Sequence, residues 1–517
     1  MPLRRAVLAA LPLAMAGVTL PKPARAAEPS TTDAAMADRI QALIPDLDAY
    51  ATRGMKAFDV PGLAIGIVAG DKFVYAKGFG VRSKGGGQPV DTRTVFQIGS
   101  ATKAFLATSL AIMVDRGRLN WDDRVVDLYP ALQLKDPWVT REFRVFDLLA
   151  QRSGLPPLVN DMLAMVGFDE AALIGSLRHA EPVSSFRTTF AYTNITHLLA
   201  SRIVAQAAGV PDWNVVLQKE LLDPLGMKDS TYTAEAIEGA ANHANGHRWT
   251  PAGTIEVPFT PIFPYHLGGA GNVNSNVEDM ARWVRLQLGH GTFEGRRIVS
   301  PENLAVTRRP KVALTDALSY AMGWYVLQTA NGSIVWHDGD ALSFSSFVGM
   351  APDRNVGVII LTNETNVGFP LAIGGWILDR ILGNPKVDYV TTKLAEERAH
   401  FETAAKQFAE PVSPRPFPPL PPLTGNFVNP SFGEAAVEED GDTLVMEIRA
   451  TGAKLKLAPW DGDIFVARLM PSGQFGPIVD LGYMTRGFVQ FQMNSDGKLN
   501  LLRLSFADGQ RFEFQRE

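Results

Sequence analysis

The chain has 517 residues, enough for two or three domains, and its 46% hydrophobic and 20% charged content excludes wholesale disorder and a polytopic membrane protein. The absence of cysteine removes disulfides, thiolate nucleophiles and Cys-ligated zinc or iron–sulfur clusters, so any chemistry must come from oxygen and nitrogen groups. A formal charge of −5 without a basic block in the mature region disfavours a nucleic-acid partner.

The N-terminus reads as a targeting segment. Arg4 and Arg5 precede an apolar run over residues 6–20, and Ala24, Arg25 and Ala26 form a small-x-small cleavage site, so residues 1–26 are expected to be an export signal peptide. The paired arginines resemble a twin-arginine signal. Pro12 and Gly17 interrupt the run, which falls short of the ~20 apolar residues of a stable membrane anchor. Cleavage would remove four basic residues and leave a charge of −9. An acidic protein of the periplasm or the extracellular space is expected.

Residues 35–388 alternate helical and strand-like patterns. Residues 389–422 read as a helical and then Pro-rich linker, with Pro411, Pro414, Pro416, Pro418, Pro419, Pro421 and Pro422 within twelve positions. In residues 423–517, Asp-Gly turns at 440, 461, 496 and 508 separate alternating runs such as Val489 to Met493 and Arg511 to Phe514. That pattern predicts an antiparallel barrel of roughly eight strands that folds as its own unit.

Within the larger region, Pro61 to Val68 and Phe73 to Ala76 flank a Gly-Asp turn and read as a hairpin. Next comes Phe96 to Lys103, leading into a helix with Leu106, Leu110, Met113 and Val114 on one face. Ser100 falls at its first turn. Residues three apart share a helix face, so Lys103 stands near the Ser100 hydroxyl, and the positive helix end favours an alkoxide and a neutral amine. A lysine so placed can act as a base. The same Ser-x-x-Lys spacing recurs at Ser495 and Lys498, but there an Asp-Gly turn between strands gives no helix to present the pair.

Two further segments carry candidate chemistry. Tyr192 and Asn194 sit in a loop just before a helix whose apolar face is Ile195, Leu198, Leu199 and Ile203. Val335 to Asp340 reads as a strand ending in His337, Asp338, Gly339 and Asp340, where the glycine lets another backbone come close; a buried strand follows over Val356 to Asn363. His243 and His247 have the spacing of a metal pair, but they lie in a glycine-broken polar stretch that reads as a loop. The Gly-x-Ser-x-Gly elbow of α/β-hydrolases and the Gly-x-x-x-x-Gly-Lys phosphate loop are both absent.

Taken in order, Ser-x-x-Lys at 100–103, Tyr-x-Asn at 192–194 and His-x-Gly at 337–339 resemble the serine β-lactamase and penicillin-binding-protein superfamily. The class C branch, with its esterase and D-aminopeptidase relatives, is the most similar. Asp223 to Met227 and Gly268 to Gly271 add to the likeness, and the tail from Leu423 is similar to the lipocalin-like barrel often appended to such hydrolases. The resemblance implies an α+β fold, an antiparallel sheet flanked by helices plus a helical lobe, followed by the small antiparallel barrel. It implies a Ser100 acyl-enzyme, with Lys103 and Tyr192 as the base system and Asn194 bonding Lys103 and the substrate. The oxyanion hole would come from the backbone N–H groups of Ser100 and Asp340, with His337 and Gly339 beside it.

No metal or cofactor is required, and the expected substrate is a small molecule or short peptide carrying an amide, peptide or ester. A homo-oligomer is compatible with this reading. His337 stands where the family's carboxylate-binding lysine would be, and flanked by Asp338 and Asp340 it is a poor receptor for a carboxylate. Leu342 falls where relatives with this motif often have glycine. The alternatives are a true β-lactamase or D,D-carboxypeptidase, or a non-catalytic penicillin-binding-like receptor.

Overall fold

The computed structural model describes residues 33–250, 252–365, 368–479 and 486–517. The expected signal peptide lies outside them. None of the described helices is long and apolar enough to cross a membrane.

The first domain is built on eight strands: Gly62–Ala69 (β1), Lys72–Gly80 (β2), Val312–Ala313 (β3), Leu318–Tyr320 (β4), Tyr325–Thr329 (β5), Gly332–Asp340 (β6), Ser345–Ala351 (β7) and Val356–Thr362 (β8). They form one antiparallel sheet in the order β2-β1-β8-β7-β6-β5-β4-β3, so the N-terminal hairpin lies against the last strand. The helices that matter for the site are Asp33–Phe58 (α1), Thr102–Asp115 (α2), Asp161–Met165 (α3), Ile195–Ala208 (α4), Val277–Leu288 (α5), Gly368–Leu382 (α6) and Tyr389–Gln407 (α7).

Successive side chains of a strand point to opposite faces, and the central strands are apolar on both. Leu63, Ile65 and Ile67 of β1 register with Thr362, Ile360 and Val358 of β8, and the apolar ones join the cluster under α1 and α6. Ala64, Val68, Ile359 and Leu361 face the other way, into the cluster shared with α5 and the helical lobe. The sheet is therefore covered by helices on both sides.

The helix after Ser100 is more deeply set than its sequence suggests. The pattern marks one apolar face, yet every residue from Thr102 to Met113 is buried. Alanine, threonine and serine fill the remaining sides, and α2 meets α4 at close range. Phe105 of α2 stacks on Trp283 of α5 with ring centroids 3.8 Å apart. The N-terminus of a helix locked in the middle of a domain is a rigid mount for a reactive side chain.

The C-terminal region is a closed barrel of eight antiparallel strands: Gly425–Asn429 (β9), Gly433–Asp440 (β10), Thr443–Ile448 (β11), Ala453–Asp461 (β12), Ile464–Leu469 (β13), Arg486–Met493 (β14), Leu499–Phe506 (β15) and Arg511–Arg516 (β16). As the alternation requires, Val489, Phe491 and Phe514 are buried while Arg511 is exposed. Ser495 and Lys498 sit on the exposed turn between β14 and β15.

One expectation changes, the loop at His247, and the barrel is seen to pack on the first domain. The barrel does not stand apart: Phe432 meets Phe168 of the helical lobe edge to face at 5.6 Å, and Phe475 packs over Gly167, so one apolar cluster runs through both. Strand periodicity identifies a barrel but does not reveal which of its ends docks. The stretch holding His247 is a short strand, Gly246–Arg248, paired with Ile255–Val257. His247 is buried there, with its Nδ1 on the Asn363 carbonyl at 2.8 Å and its Nε2 accepting the Lys84 N–H, while His243 Nδ1 faces the Ala240 carbonyl.

Candidate active site

The site forms where the α2 N-terminus meets the end of β6. Gly99 begins a single 3₁₀ turn, Gly99–Ala101, with a left-handed φ of 50°. A Cβ on Gly99 would lie 2.5 Å from the Asp340 carbonyl oxygen, and one on Gly339 would lie 2.0 Å from that of Ile98. Only two glycines facing each other allow these backbones to touch. The Ser346 hydroxyl on β7 donates to the Ile98 carbonyl at 2.7 Å and pins the turn to the sheet. Ser100 is left half-buried at the junction, with its peptide beside that of Asp340.

Lys103 is 0% exposed and its amine is fully engaged. Nζ donates to Ser100 Oγ at 2.9 Å, to Asn194 Oδ1 at 2.8 Å and to the Ala270 carbonyl at 2.7 Å. Burial lowers its pKa to about 7, against the opposing pull of Asp161 and Asp338. Three donated bonds are those of the ammonium form; with a pKa of about 7 the amine can lose one of these protons near neutrality and then accept from the Ser100 hydroxyl in place of donating to it. Lys103 Nζ also lies 4.7 Å from the centre of the Tyr192 ring.

Tyr192 is 9% exposed and its hydroxyl lies on the Ser100 side of the site. Burial, with Tyr320 and Tyr325 close by, raises its pKa well above the ordinary value, so it remains a phenol at neutral pH. Such a group can pass a proton on but cannot serve as the resting base. Asn194 is the N-cap residue of α4, yet its side chain does not cap the helix. It bridges Lys103 and Asp161 instead, with Nδ2 donating to Asp161 Oδ2 at 2.6 Å.

His337 adjoins the site but is only 1% exposed. Its Nε2 pairs with the Tyr320 hydroxyl at 3.0 Å and its Nδ1 with the Asp338 carbonyl, behind the ring of Tyr192. Burial and the nearby Lys103 depress its pKa to about 3, so the imidazole is neutral. Asp340 turns its carboxyl away from Ser100, accepting from Leu342 N–H at 2.6 Å and from the Thr365 hydroxyl. Asp338, half-buried on the same strand, is close enough to Lys103 to oppose the lowering of its pKa. Leu342 holds the left-handed backbone, φ 64°, that a glycine would adopt freely, at a cost of ~1–2 kcal/mol.

The sequence reading missed Asp161, Tyr320 and the Ala270 carbonyl. Only the last left a trace, as the Gly268 to Gly271 stretch whose fold brings that carbonyl to Lys103. Among the described residues no cluster of His, Asp or Glu could hold a metal ion.

The family model for Beta-lactamase matches residues 47–375. The chain belongs to the Beta-lactamase family. A second model, a domain of unknown function named DUF3471, matches residues 409–516, the barrel and the segment before it. Penicillin-binding protein 4 of Amycolatopsis lactamdurans is 28% identical over 381 residues, 71% of this chain and 93% of that protein. An unguisins hydrolase of Aspergillus campestris is 25% identical over 453 residues, 80% of this chain and 82% of its own. The octameric penicillin-binding protein homologue from Pyrococcus abyssi shares the fold, with a TM-score of 0.60 at 22% identity over 91% of this chain and 99% of its own. Membership in the Beta-lactamase family places the chain in a superfamily of serine hydrolases and penicillin-binding proteins.

Proposed function

We propose that the protein is an exported serine hydrolase that works through an acyl-enzyme on Ser100, with amide, peptide or ester substrates. The observation that carries this reading is the 2.9 Å contact between Ser100 Oγ and the buried Lys103 amine, whose pKa is lowered to about 7. Lys103 takes the hydroxyl proton as Ser100 Oγ bonds the substrate carbonyl carbon. The Tyr192 phenol, on the Ser100 side of the site, relays a proton to the leaving group. The N–H groups of Ser100 and Asp340 receive the oxyanion, where one donor is worth on the order of 100-fold in rate. Water then enters, loses its proton to the same base system and releases the acid. Export is supported by residues 1–26 alone.

The strand position that would hold a substrate carboxylate carries His337, neutral and enclosed, in place of a fixed positive charge. Neutral esters, or amides with a free amino group, are therefore expected to be turned over with a higher kcat/KM than penicillins or peptides cleaved beside a C-terminal carboxylate. A side-by-side panel of p-nitrophenyl esters, D- and L-aminoacyl anilides and a chromogenic cephalosporin tests this. A cephalosporin outrunning the best neutral substrate would make the protein a β-lactamase, and no turnover of any member would favour the receptor reading.

A further inference from the structure

The Lys103 amine has a second layer of support that reaches into the barrel. Asp161, the first residue of α3, is 8% exposed; its Oδ2 accepts from Asn194 Nδ2, while its Oδ1 has no hydrogen-bond partner among the described residues. An amide can serve an amine and a carboxylate together in one orientation only, with its oxygen toward the amine and its NH₂ toward the carboxylate. The carboxylate thus fixes the amide, and the amide fixes the amine.

The segment carrying Asp161 is clasped by the turn between β15 and β16. Gln510 donates Nε2 to the Leu158 carbonyl at 2.6 Å and accepts the Asn160 N–H at 2.8 Å. Leu158 N–H in turn donates to the Tyr192 carbonyl at 2.7 Å. Asp508, on the same turn, accepts from both the backbone and the side chain of Gln510; burial foremost, and repulsion by Asp508 after it, raises the Asp161 pKa to about 7.

We infer that Asp161 is a positioning residue for the Lys103 base, and that the barrel turn Asp508–Gln510, by holding and repelling Asp161, sets the pH at which that base becomes competent. The inference rests on the Ser100–Lys103 reading. The groups facing Lys103 are Ser100, Tyr192, Asn194, His197, His337, Asp161 and Asp338, and those facing Asp161 are Asn194, Lys103 and Asp508. His197 and His337 are buried and neutral, so carboxylates supply the variable charge. An ionised Asp161 holds the proton on Lys103, whereas a protonated one releases it.

Opposite shifts follow. Asp161→Asn keeps the size and an acceptor but removes the charge, so Lys103 loses its proton more readily and the acid limb moves down. Asp508→Asn relieves the repulsion, Asp161 ionises more fully, and the acid limb moves up. A merely structural role would alter rates or melting without separating the midpoints in opposite senses.

The test is the pH dependence of fluorophosphonate labelling at Ser100 in the full chain and in both variants, with Tm recorded for each. The expected midpoints lie about half a pH unit or more below wild type for Asp161→Asn and above it for Asp508→Asn. Unchanged midpoints, or shifts in the same direction, overturn the inference. If Asp161→Asn does not fold, Asp508→Asn decides alone: an upward shift supports the coupling and no shift refutes it. Failure of the underlying reading is distinguishable, because the wild-type protein would then go unlabelled.

Discussion

Replacing Lys103 with alanine is expected to lower turnover by about 100-fold or more, because it removes the one group placed to take the Ser100 proton. Its amine is the partner of Ser100, Asn194 and the Ala270 carbonyl at once, so the loss also frees the asparagine amide and leaves a buried carbonyl without its donor. Tyr192→Phe is expected to cost a similar factor, since its phenol stands against the same serine–lysine pair. The two act as one relay, so the double variant should be little worse than either single one. In the wild type, activity should fall on the acid side with a midpoint near the value of about 7 to which burial brings Lys103, and that midpoint belongs to the coupled group. The sign follows from the base: a lysine whose pKa is lowered is protonated, and idle, below that value. Steady-state kinetics of the three variants and a pH–rate profile check this, and an additive double variant would contradict the relay.

The second large effect is expected from one methyl group. Gly339→Ala would place a Cβ 2.0 Å from the Ile98 carbonyl and 2.4 Å from Ser346 Oγ. The first obstacle is backbone, so the turn carrying Ser100 must move away from β6. Relieving such a clash costs roughly 1–3 kcal/mol. The movement also separates the two peptides proposed to bind the oxyanion, so the labelling rate should drop about 100-fold or more, beyond what the loss of stability explains. Gly85→Ala is the control: a Cβ there meets nothing within 4 Å, and neither rate nor Tm should change. Melting curves and labelling rates of the two variants, measured together, separate the local effect from general destabilisation.

What the sequence made legible was local. Ser100 and Lys103 lie one helical turn apart, and the i, i+3 rule suffices to bring them together. The barrel was readable because a period of two and Asp-Gly turns leave few other folds for that stretch. Asp161 left no comparable sign. It meets Asn194 from a position 33 residues earlier in the chain, and an aspartate at the start of a short helix ordinarily reads as an N-terminal charge. His337 was placed on the correct strand, but alternation tells which face a residue occupies and not how deeply that face is covered. Tyr320, Tyr325 and Tyr192 do the covering, the first two from the β4–β5 hairpin and the third from a loop far earlier in the chain. The docking of the barrel was hidden for the same reason: Gln510 reads as a turn residue until the Leu158 carbonyl and the Asn160 N–H are seen on either side of it.

The central claim is that Ser100 is the nucleophile. Treatment of the full chain with a fluorophosphonate, followed by mass spectrometry of the intact protein and of its peptides, tests it most directly. The account predicts one adduct, located on Ser100, formed faster as the pH rises through about 7 and absent from Ser100→Ala. An adduct on another serine, or turnover undiminished in Ser100→Ala, would contradict it.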